Sequence, residues 1–166
     1  ELKTEPITSE KEMKTFTFPP LSLLEKDSGA PTAGDINNNL AIIKKTLQNF
    51  GIEVQMGQVN IGPTVTQYTL KPAEGVKLSK ITNLNNDLAL ALASHPIRIE
   101  APIPGKSLVG IEIPNKVRAQ VRMRDLVAHS DFQRSISSLA LVLGRDVTGK
   151  PLFSDLSRLP HLLVAG

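Results

Sequence analysis

The residues with the most recognisable chemical pattern are 144–151, Gly-Arg-Asp-Val-Thr-Gly-Lys-Pro. They match the phosphate-loop pattern G-x4-G-K, in which backbone N–H groups and the lysine bind phosphates and a following Ser or Thr binds Mg²⁺. That next position is Pro151, which has neither a hydroxyl nor a backbone N–H. We therefore predict a β-hairpin turn with Gly149 in the left-handed conformation, the alternative being a small nucleotide enzyme that uses Lys150.

A second pattern lies in residues 116–124, where apolar and basic or polar residues alternate. In a β-strand this spacing places the basic side chains on one face, where they could contact the phosphates of a DNA duplex. A solvated strand face is the plainer interpretation, and a helix that begins near residue 122 would interrupt the row. The candidate DNA-binding residues are Lys116, Arg118, Arg122 and Arg124.

The last six residues, 161–166, form a short apolar segment that ends on Gly166. By itself this pattern is typical of an ordinary buried strand. The three histidines are far apart and lie beside no acidic cluster with metal-ligand spacing, and the chain contains no cysteine. We therefore expect no metal site and no catalytic residue in this chain.

The composition indicates a globular protein, with 166 residues, 40% hydrophobic content and a net charge of +3. Five Phe, one Tyr and no Trp argue against a surface that stacks single-stranded bases. No apolar run approaches the roughly 18 residues needed to cross a bilayer, so we expect a soluble chain.

The hydrophobic spacing predicts a helix from Asp35, its cap, to Gly51, its stop, followed by a strand with a bulge near Gly57. A turn at residues 62–63 leads to a returning strand at 64–71. A second helix, capped by Ser79, and two strands at 97–100 and 108–113 complete the series. This α-ββ-α-ββ order predicts an α+β fold, a two-layer antiparallel sheet with helices on one face.

Beyond this unit we predict a short helix at 125–129, strands at 139–143 and 151–153, and a last strand at 162–165. The predicted organisation is a linker or arm at 1–34, one domain at 35–127, and the beginning of another at 128–166. Within the arm, an apolar extended patch from Phe16 to Leu24 is expected to lie on a neighbouring surface.

Several segments, taken together, resemble the motor region of bacterial DNA translocases of the FtsK/SpoIIIE family. The resemblance extends from about Phe18 to the last residue in the family's order and spacing. Some departures leave the paralogue open, since Gln67 and Thr69 stand where many members have Arg and Glu, and Arg145 where Lys is frequent. The matching segments are residues 18–24, 62–68, 74–81, 102–106 with 109–115, 144–151 and 159–166.

The resemblance implies that 35–127 is the translocase α domain and that 128–166 begins an α/β, RecA-like β domain. Gly166 would then be the first glycine of a Walker A loop that continues beyond this chain. ATP and Mg²⁺ would be the cofactors of the longer protein, and we expect neither to bind this fragment tightly.

The implied function is part of an ATP-driven double-stranded DNA translocase that pumps chromosomal DNA during cell division and chromosome segregation. The fragment would form the α tier of a homo-hexameric ring and have no activity alone. Expected partners are duplex DNA, the β domain of the same chain, neighbouring subunits and a site-specific recombinase. The fragment would be the cytoplasmic portion of a protein anchored in the bacterial cell membrane. The alternative is a stand-alone nucleic-acid-binding or assembly module without ATPase activity.

Overall fold

A computed structural model describes residues 17–165 of the chain. The first helix, α1, spans Ile36–Asn49. The Asp35 side chain accepts the backbone N–H of Asn38 at 2.9 Å, which satisfies one of the unpaired donors at the helix start. At the other end Gly51 has a φ of +69°, which favours glycine. Both predicted ends of this helix are confirmed.

Four antiparallel strands form the sheet against which α1 packs, in the spatial order β1-β2-β4-β3. Their bounds are Val54–Ile61 for β1, Val65–Pro72 for β2, Arg98–Glu100 for β3 and Val109–Pro114 for β4. The β1–β2 register shifts between Met56 and Val59, which confirms the predicted bulge around Gly57. A Cβ at Gly57 would lie 2.7 Å from the Thr69 hydroxyl, so the bulge needs glycine for space.

The hydrophobic core lies between the helices and one face of this sheet. Alternate residues of β2 and β4 point into it, because successive side chains of a strand project to opposite faces. Replacing a fully buried residue such as Leu47 with Ala would cost about 2–5 kcal/mol. This two-layer arrangement confirms the predicted α+β fold. The most deeply buried apolar side chains include Ile43, Leu47, Tyr68, Leu70, Ile81, Leu88 and Ile111.

The predicted second helix is divided into two short helices, α2 at Leu78–Thr82 and α3 at Asn85–Ala91. Ser79 is not the cap, because the helix starts one residue earlier and its N-cap, Lys77, makes no side-chain hydrogen bond. The Thr82 hydroxyl donates to the carbonyl of Ser79 at 3.2 Å. Threonine and asparagine favour such local bonds over continued helix, which accounts for a break between Thr82 and Asn85.

The later part of the chain contains helices α4 at Met123–Val127 and α5 at Ser130–Gln133 and a two-stranded hairpin, β5 at Ala140–Arg145 and β6 at Pro151–Asp155. The hairpin is antiparallel, as predicted. The predicted last strand at 162–165 is not formed, because this exposed segment pairs with no strand among the described residues.

One contact joins the hairpin to the β1–β2 turn of the larger sheet and another joins it to the arm. The carbonyl oxygen of Val147, at the hairpin turn, lies 2.6 Å from the position that a Cβ on Gly62 would take. The Arg145 guanidinium donates to the Asp27 carboxylate at 3.0 Å. The hairpin turn can come this close to residue 62 because glycine has no side chain. Any larger residue there would displace the turn.

The predicted arm is partly docked in the structure. Its apolar patch begins at Phe16, which lies outside the described residues, and continues into a 3₁₀ turn at Leu21–Leu23. Phe18 and Leu23 are 80% and 74% exposed, so the patch is not buried against a neighbouring surface of the described residues, contrary to the expectation. Ser28 and Thr32 form isolated β-bridges with Gln120 and Val117. No helix in the described part of the chain is both long and apolar enough to cross a bilayer.

Candidate nucleic-acid interface

The cationic segment begins where β4 ends, and Asn115 fixes its starting point. The Asn115 side chain donates to the Gly62 carbonyl at 2.8 Å and accepts the Thr66 hydroxyl at 2.7 Å. Its backbone N–H donates to the Thr64 carbonyl at 2.9 Å. Asn115 is 5% exposed, so these three bonds are shielded from water and hold the exit of β4 against the β1–β2 turn.

Residues 116–122 do not form the continuous strand predicted from their alternation. The backbone of Lys116 donates to Thr32 at 3.0 Å, whereas Ala119 donates to Pro63 at 2.8 Å. The segment therefore bonds to two different neighbours, the arm and the β1–β2 turn, and helix α4 begins at Met123. No single strand ladder runs through the segment, so the row of cations that a strand would have given is not formed, and a helix interrupts it close to residue 122, as expected for the alternative.

Lys116 and Arg118 are the two exposed cations of the four candidates. Neither has a carboxylate within 4.0 Å among residues 17–165. The stem of Lys116 lies against Gly34, where a Cβ would come within 3.1 Å of Cε. Arg118 lines an open cavity of about 470 Å³ together with Arg98 and Glu112. These two side chains can exchange counterions for phosphates without first breaking an ion pair.

Arg122 and Arg124 lie in a different setting, because both are half-buried. The Arg122 guanidinium forms an ion pair with Glu25 and donates to the Gln120 side chain at 2.6 Å. Its Nε is buried without a hydrogen-bond partner in the described chain. The charge of Arg122 is thus already compensated by Glu25 of the arm. Arg124 lies in the first turn of α4 and not beside Lys116.

Asp27 connects this segment to the hairpin, a contact that the sequence patterns did not predict. Its carboxylate accepts the backbone N–H of Arg122 at 2.5 Å and the guanidinium of Arg145 at 3.0 Å. Its own N–H donates to the Asp125 carboxylate. The sequence signal was the presence of acidic residues in an arm that precedes a basic segment. Asp27 and Arg122 are 95 residues apart, so local patterns do not show which residues pair.

The phosphate-loop-like sequence at 144–151 forms the predicted hairpin turn. Gly149 has a φ of +83°, and the Asp146 carboxylate accepts the backbone N–H groups of Thr148 and Lys150 at 2.8 and 2.9 Å. Burial alone would raise the pKa of Asp146, but hydrogen bonds from Thr148 and Lys150 lower it below its ordinary value. The backbone donors that would bind phosphate in a true loop are used by Asp146.

Residues 17–165 contain no group of three His, Cys, Asp or Glu side chains placed to hold a metal ion. The Lys150 backbone N–H is bonded to the Asp146 carboxylate, and Pro151, which follows it, has neither a hydroxyl nor an N–H, so this donor set does not fit ATP with Mg²⁺. Gly166, the proposed first residue of a phosphate loop, lies outside the described residues. The hairpin turn is therefore a structural element and not a nucleotide site.

Comparison with known proteins finds relatives that share one name, DNA translocase FtsK. The DNA translocase FtsK of Staphylococcus epidermidis is 46% identical over 153 residues, which is 91% of this chain and 19% of that protein. The DNA translocase FtsK of Caldanaerobacter subterraneus is 44% identical over 162 residues, 95% of this chain and 22% of the relative. That of Staphylococcus aureus is 44% identical over 154 residues, 92% of this chain and 19% of the relative.

The chain thus spans about a fifth of the length of these relatives. A family model described as the FtsK alpha domain matches residues 18–115. The match covers all four strands of the larger sheet and the helices that pack on it. The chain belongs to the FtsK family of DNA translocases, and residues 18–115 are its alpha domain.

Proposed function

We propose that the protein containing this chain is an ATP-driven double-stranded DNA translocase, and that this part forms the α tier of its hexameric ring. The observation that carries the proposal is the 46% identity over 91% of the chain to a relative named DNA translocase FtsK. Its place of action would be the cell membrane at division, with chromosomal DNA as the substrate.

The proposal assigns two separate tasks to the described residues. Lys116 and Arg118, which are exposed and free of ion pairs in the described part, would contact DNA phosphates. Arg122 would instead bind the arm through Glu25, and Arg124 would make at most a peripheral phosphate contact. The hairpin would begin a RecA-like β domain, since an isolated two-stranded sheet is only marginally stable and needs further strands or helices.

ATP and Mg²⁺ would be bound outside residues 17–165, because the G-x4-G-K sequence within them, residues 144–150, forms a hairpin turn. When bound, the nucleotide would supply the free energy for translocation. The residues of this chain would position the hairpin and contact the duplex. A Gly-Lys-Ser or Gly-Lys-Thr sequence should therefore follow Gly166 closely in the full-length protein.

The experiment that tests the function measures ATP hydrolysis by the full-length protein with and without duplex DNA. We expect stimulation by DNA, and no hydrolysis by residues 1–166 alone. Lys116→Gln with Arg118→Gln should reduce the slope of log affinity against log salt by about 2, since each phosphate contact contributes roughly 0.9. Lys44→Gln with Lys45→Gln, which removes two exposed charges from α1, is the matched control.

Absence of DNA-stimulated hydrolysis in the full-length protein would refute the translocase. If duplex DNA still bound with a slope that depended on Lys116 and Arg118, the alternative of a nucleic-acid-binding module without ATPase activity would be supported instead. The specific observation in its favour is that both cations are exposed and form no ion pair in the described part of the chain.

A further inference from the structure

We propose that one end of the four-stranded sheet is a second surface for the phosphate backbone of duplex DNA, distinct from Lys116 and Arg118. This loop-end surface consists of Lys71, Lys77, Lys80 and Lys106. It rests on the proposed function for the identity of its partner. Its location and charge follow from two loops, the one after β2 and the one before β4.

The two loops meet at the same end of the sheet. Leu70 in β2 pairs with Val109 in β4, so the residues that follow β2 and those that precede β4 lie together beyond this pair. Residues 71–73, Val76 and Leu78 from the first loop line a cavity of about 270 Å³ with Pro102 and residues 107–109 from the second. Lys77 lies between Val76 and Leu78, and Lys106 directly precedes Ser107; these three neighbours all line the cavity.

Backbone hydrogen bonds hold both loops in shape. In the first loop Ala73 donates to Glu53 at 3.0 Å. In the second, Ile103 donates to Leu108 at 2.8 Å and Lys106 donates to Ile103 at 3.0 Å. Because the loops are already ordered, the cost of fixing their backbone on binding is small.

The tips of the two loops face open space. Gly75 has a φ of +83° and Gly105 a φ of +72°, and a Cβ added at either position would meet no atom within 4 Å. Each tip lies within two residues of a lysine of the loop-end surface. Both loop tips are therefore unpacked at these glycines, where no described atom covers them.

All four lysines are exposed, and none has a carboxylate within 4.0 Å among residues 17–165. Glu53 and Glu74 lie at the same end, where they line a neighbouring cavity on the β1 side together with Lys71. A third acid, Glu100 at the end of β3, pairs with Gly110 at this same end of the sheet. The four exposed lysines outnumber these three glutamates, so the net charge of this end is positive. Lysines without ion pairs release counterions when phosphates replace them.

The chemistry of this end favours a nucleic-acid backbone over a protein partner. Residues 71–80 and 101–108 contain no aromatic side chain and no arginine. Protein interfaces are enriched in aromatic residues and arginine and depleted in lysine. Most of their binding energy comes from the aromatic residues and arginine. Phosphate contacts, by contrast, need only mobile cations that position the duplex.

The loop-end surface and Lys116 lie at opposite ends of the sheet. Val65, at the start of β2, pairs with Pro114, just before Lys116, whereas Lys71 lies six residues further along β2. At about 3.3 Å per residue this separates the two surfaces by about 20 Å. Effects of substitutions at such a distance should add, so each surface can be tested independently.

The test uses the full-length protein with Lys71→Gln and Lys106→Gln combined. Binding to duplex DNA of random sequence is measured by fluorescence anisotropy over a series of salt concentrations, without nucleotide. We expect the slope of log affinity against log salt to become shallower by about 2, the loss of two phosphate contacts. The control, Lys44→Gln with Lys45→Gln, removes the same charge from the exposed face of α1 and should leave the slope unchanged.

A slope equal to that of the wild-type protein, or a change as large in the control, would overturn the loop-end surface. Wild-type ATP hydrolysis stimulated by DNA, together with an unchanged slope in the variant, would reject this surface and leave the proposed function standing. If the wild-type protein showed neither DNA binding nor stimulation, the proposed function itself would fail. The first of these results is read from the variant and the second from the wild-type protein.

A second measurement avoids any dependence on the folding of the variant. Amine-reactive labelling of the wild-type protein should be slowed by duplex DNA at Lys71 and Lys106 but not at Lys44. Equal labelling of all three lysines with and without DNA would reject the proposal, even if the variant could not be purified in folded form.

Discussion

Replacing Asp27 with Asn tests whether the arm stabilises the junction between the sheet and the hairpin. The two carboxylate oxygens accept from two different segments, the backbone N–H of Arg122 and the guanidinium of Arg145. Asparagine keeps the shape but replaces one oxygen with an N–H donor. That donor must then face another donor, so one of the two bonds is lost and its partner is left unpaired.

The expected loss of stability is about 2 kcal/mol. A hydrogen bond to a charged group contributes about 1.5–3 kcal/mol. The side chains of Arg145 and Asp27 are 22% and 33% exposed, so solvent screening places their pair near the lower end, at about 1 kcal/mol. The partly buried donor that then faces the asparagine N–H is left without an acceptor, which adds about 1 kcal/mol. In a chain of this size the midpoint of thermal unfolding should fall by about 4–8 °C.

The assay is urea denaturation followed by circular dichroism, with Glu53→Gln as the matched control. Glu53 is exposed and forms no ion pair with a described residue, so its neutralisation should change stability by less than about 0.5 kcal/mol. The double variant of Asp27→Asn with Arg145→Gln should lose less than the sum of the single variants, because both remove the same contact.

Two results would refute this reasoning. If Asp27→Asn changed the free energy of unfolding no more than Glu53→Gln, the arm would not stabilise the junction. If the losses from Asp27→Asn and Arg145→Gln were fully additive, the two side chains would not interact in solution. High salt should also reduce the coupling between them, since part of it is electrostatic.

Three further predictions concern the core and the hairpin. Burial raises the pKa of Tyr68 despite its hydrogen bond from Asn39. The single tyrosine should therefore ionise above its ordinary pKa in an ultraviolet titration. Stability should fall as pH rises above 10, because the tyrosine of the unfolded chain ionises first. Gly62→Ala should cost about 1–3 kcal/mol and loosen the hairpin, seen as faster exchange of the Asp146 amide, which donates to the Lys150 carbonyl at 2.9 Å. The lowered pKa of Asp146 should contribute stability near neutral pH that is lost as pH falls through its folded value, an effect absent in Asp146→Asn.

Much of the fold could be predicted from local patterns. The helix at 36–49 has an apolar stripe, a capping aspartate and a terminal glycine, and all three act within a few residues. The bulge at residue 57 and the turn at 149 were visible because glycine marks the positions where a side chain would be strained or crowded. The interruption after Thr82 was not predicted, because hydrophobic spacing continues across it.

The candidate interface was predicted less well, because its geometry depends on distant segments. The alternation in residues 116–122 suggested a strand, but a strand needs a continuous partner, and here the neighbours change from the arm to the β1–β2 turn. Nothing in the local sequence shows that Glu25 pairs with Arg122 and leaves Lys116 unpaired among the described residues. The loop-end lysines likewise come together only through the pairing of β2 with β4.

The sequence by itself determined the first helix, the four strands of the larger sheet, the glycine turns and, through the order of its motifs, the family. It excluded a phosphate loop at Lys150, because Pro151 lacks the groups that such a loop requires. The tertiary structure decided which cations are compensated and which remain available. The physical reason is that hydrophobic periodicity and turn chemistry act over a few residues, whereas charge pairing depends on contacts such as that of Asp27 with Arg145, 118 residues apart.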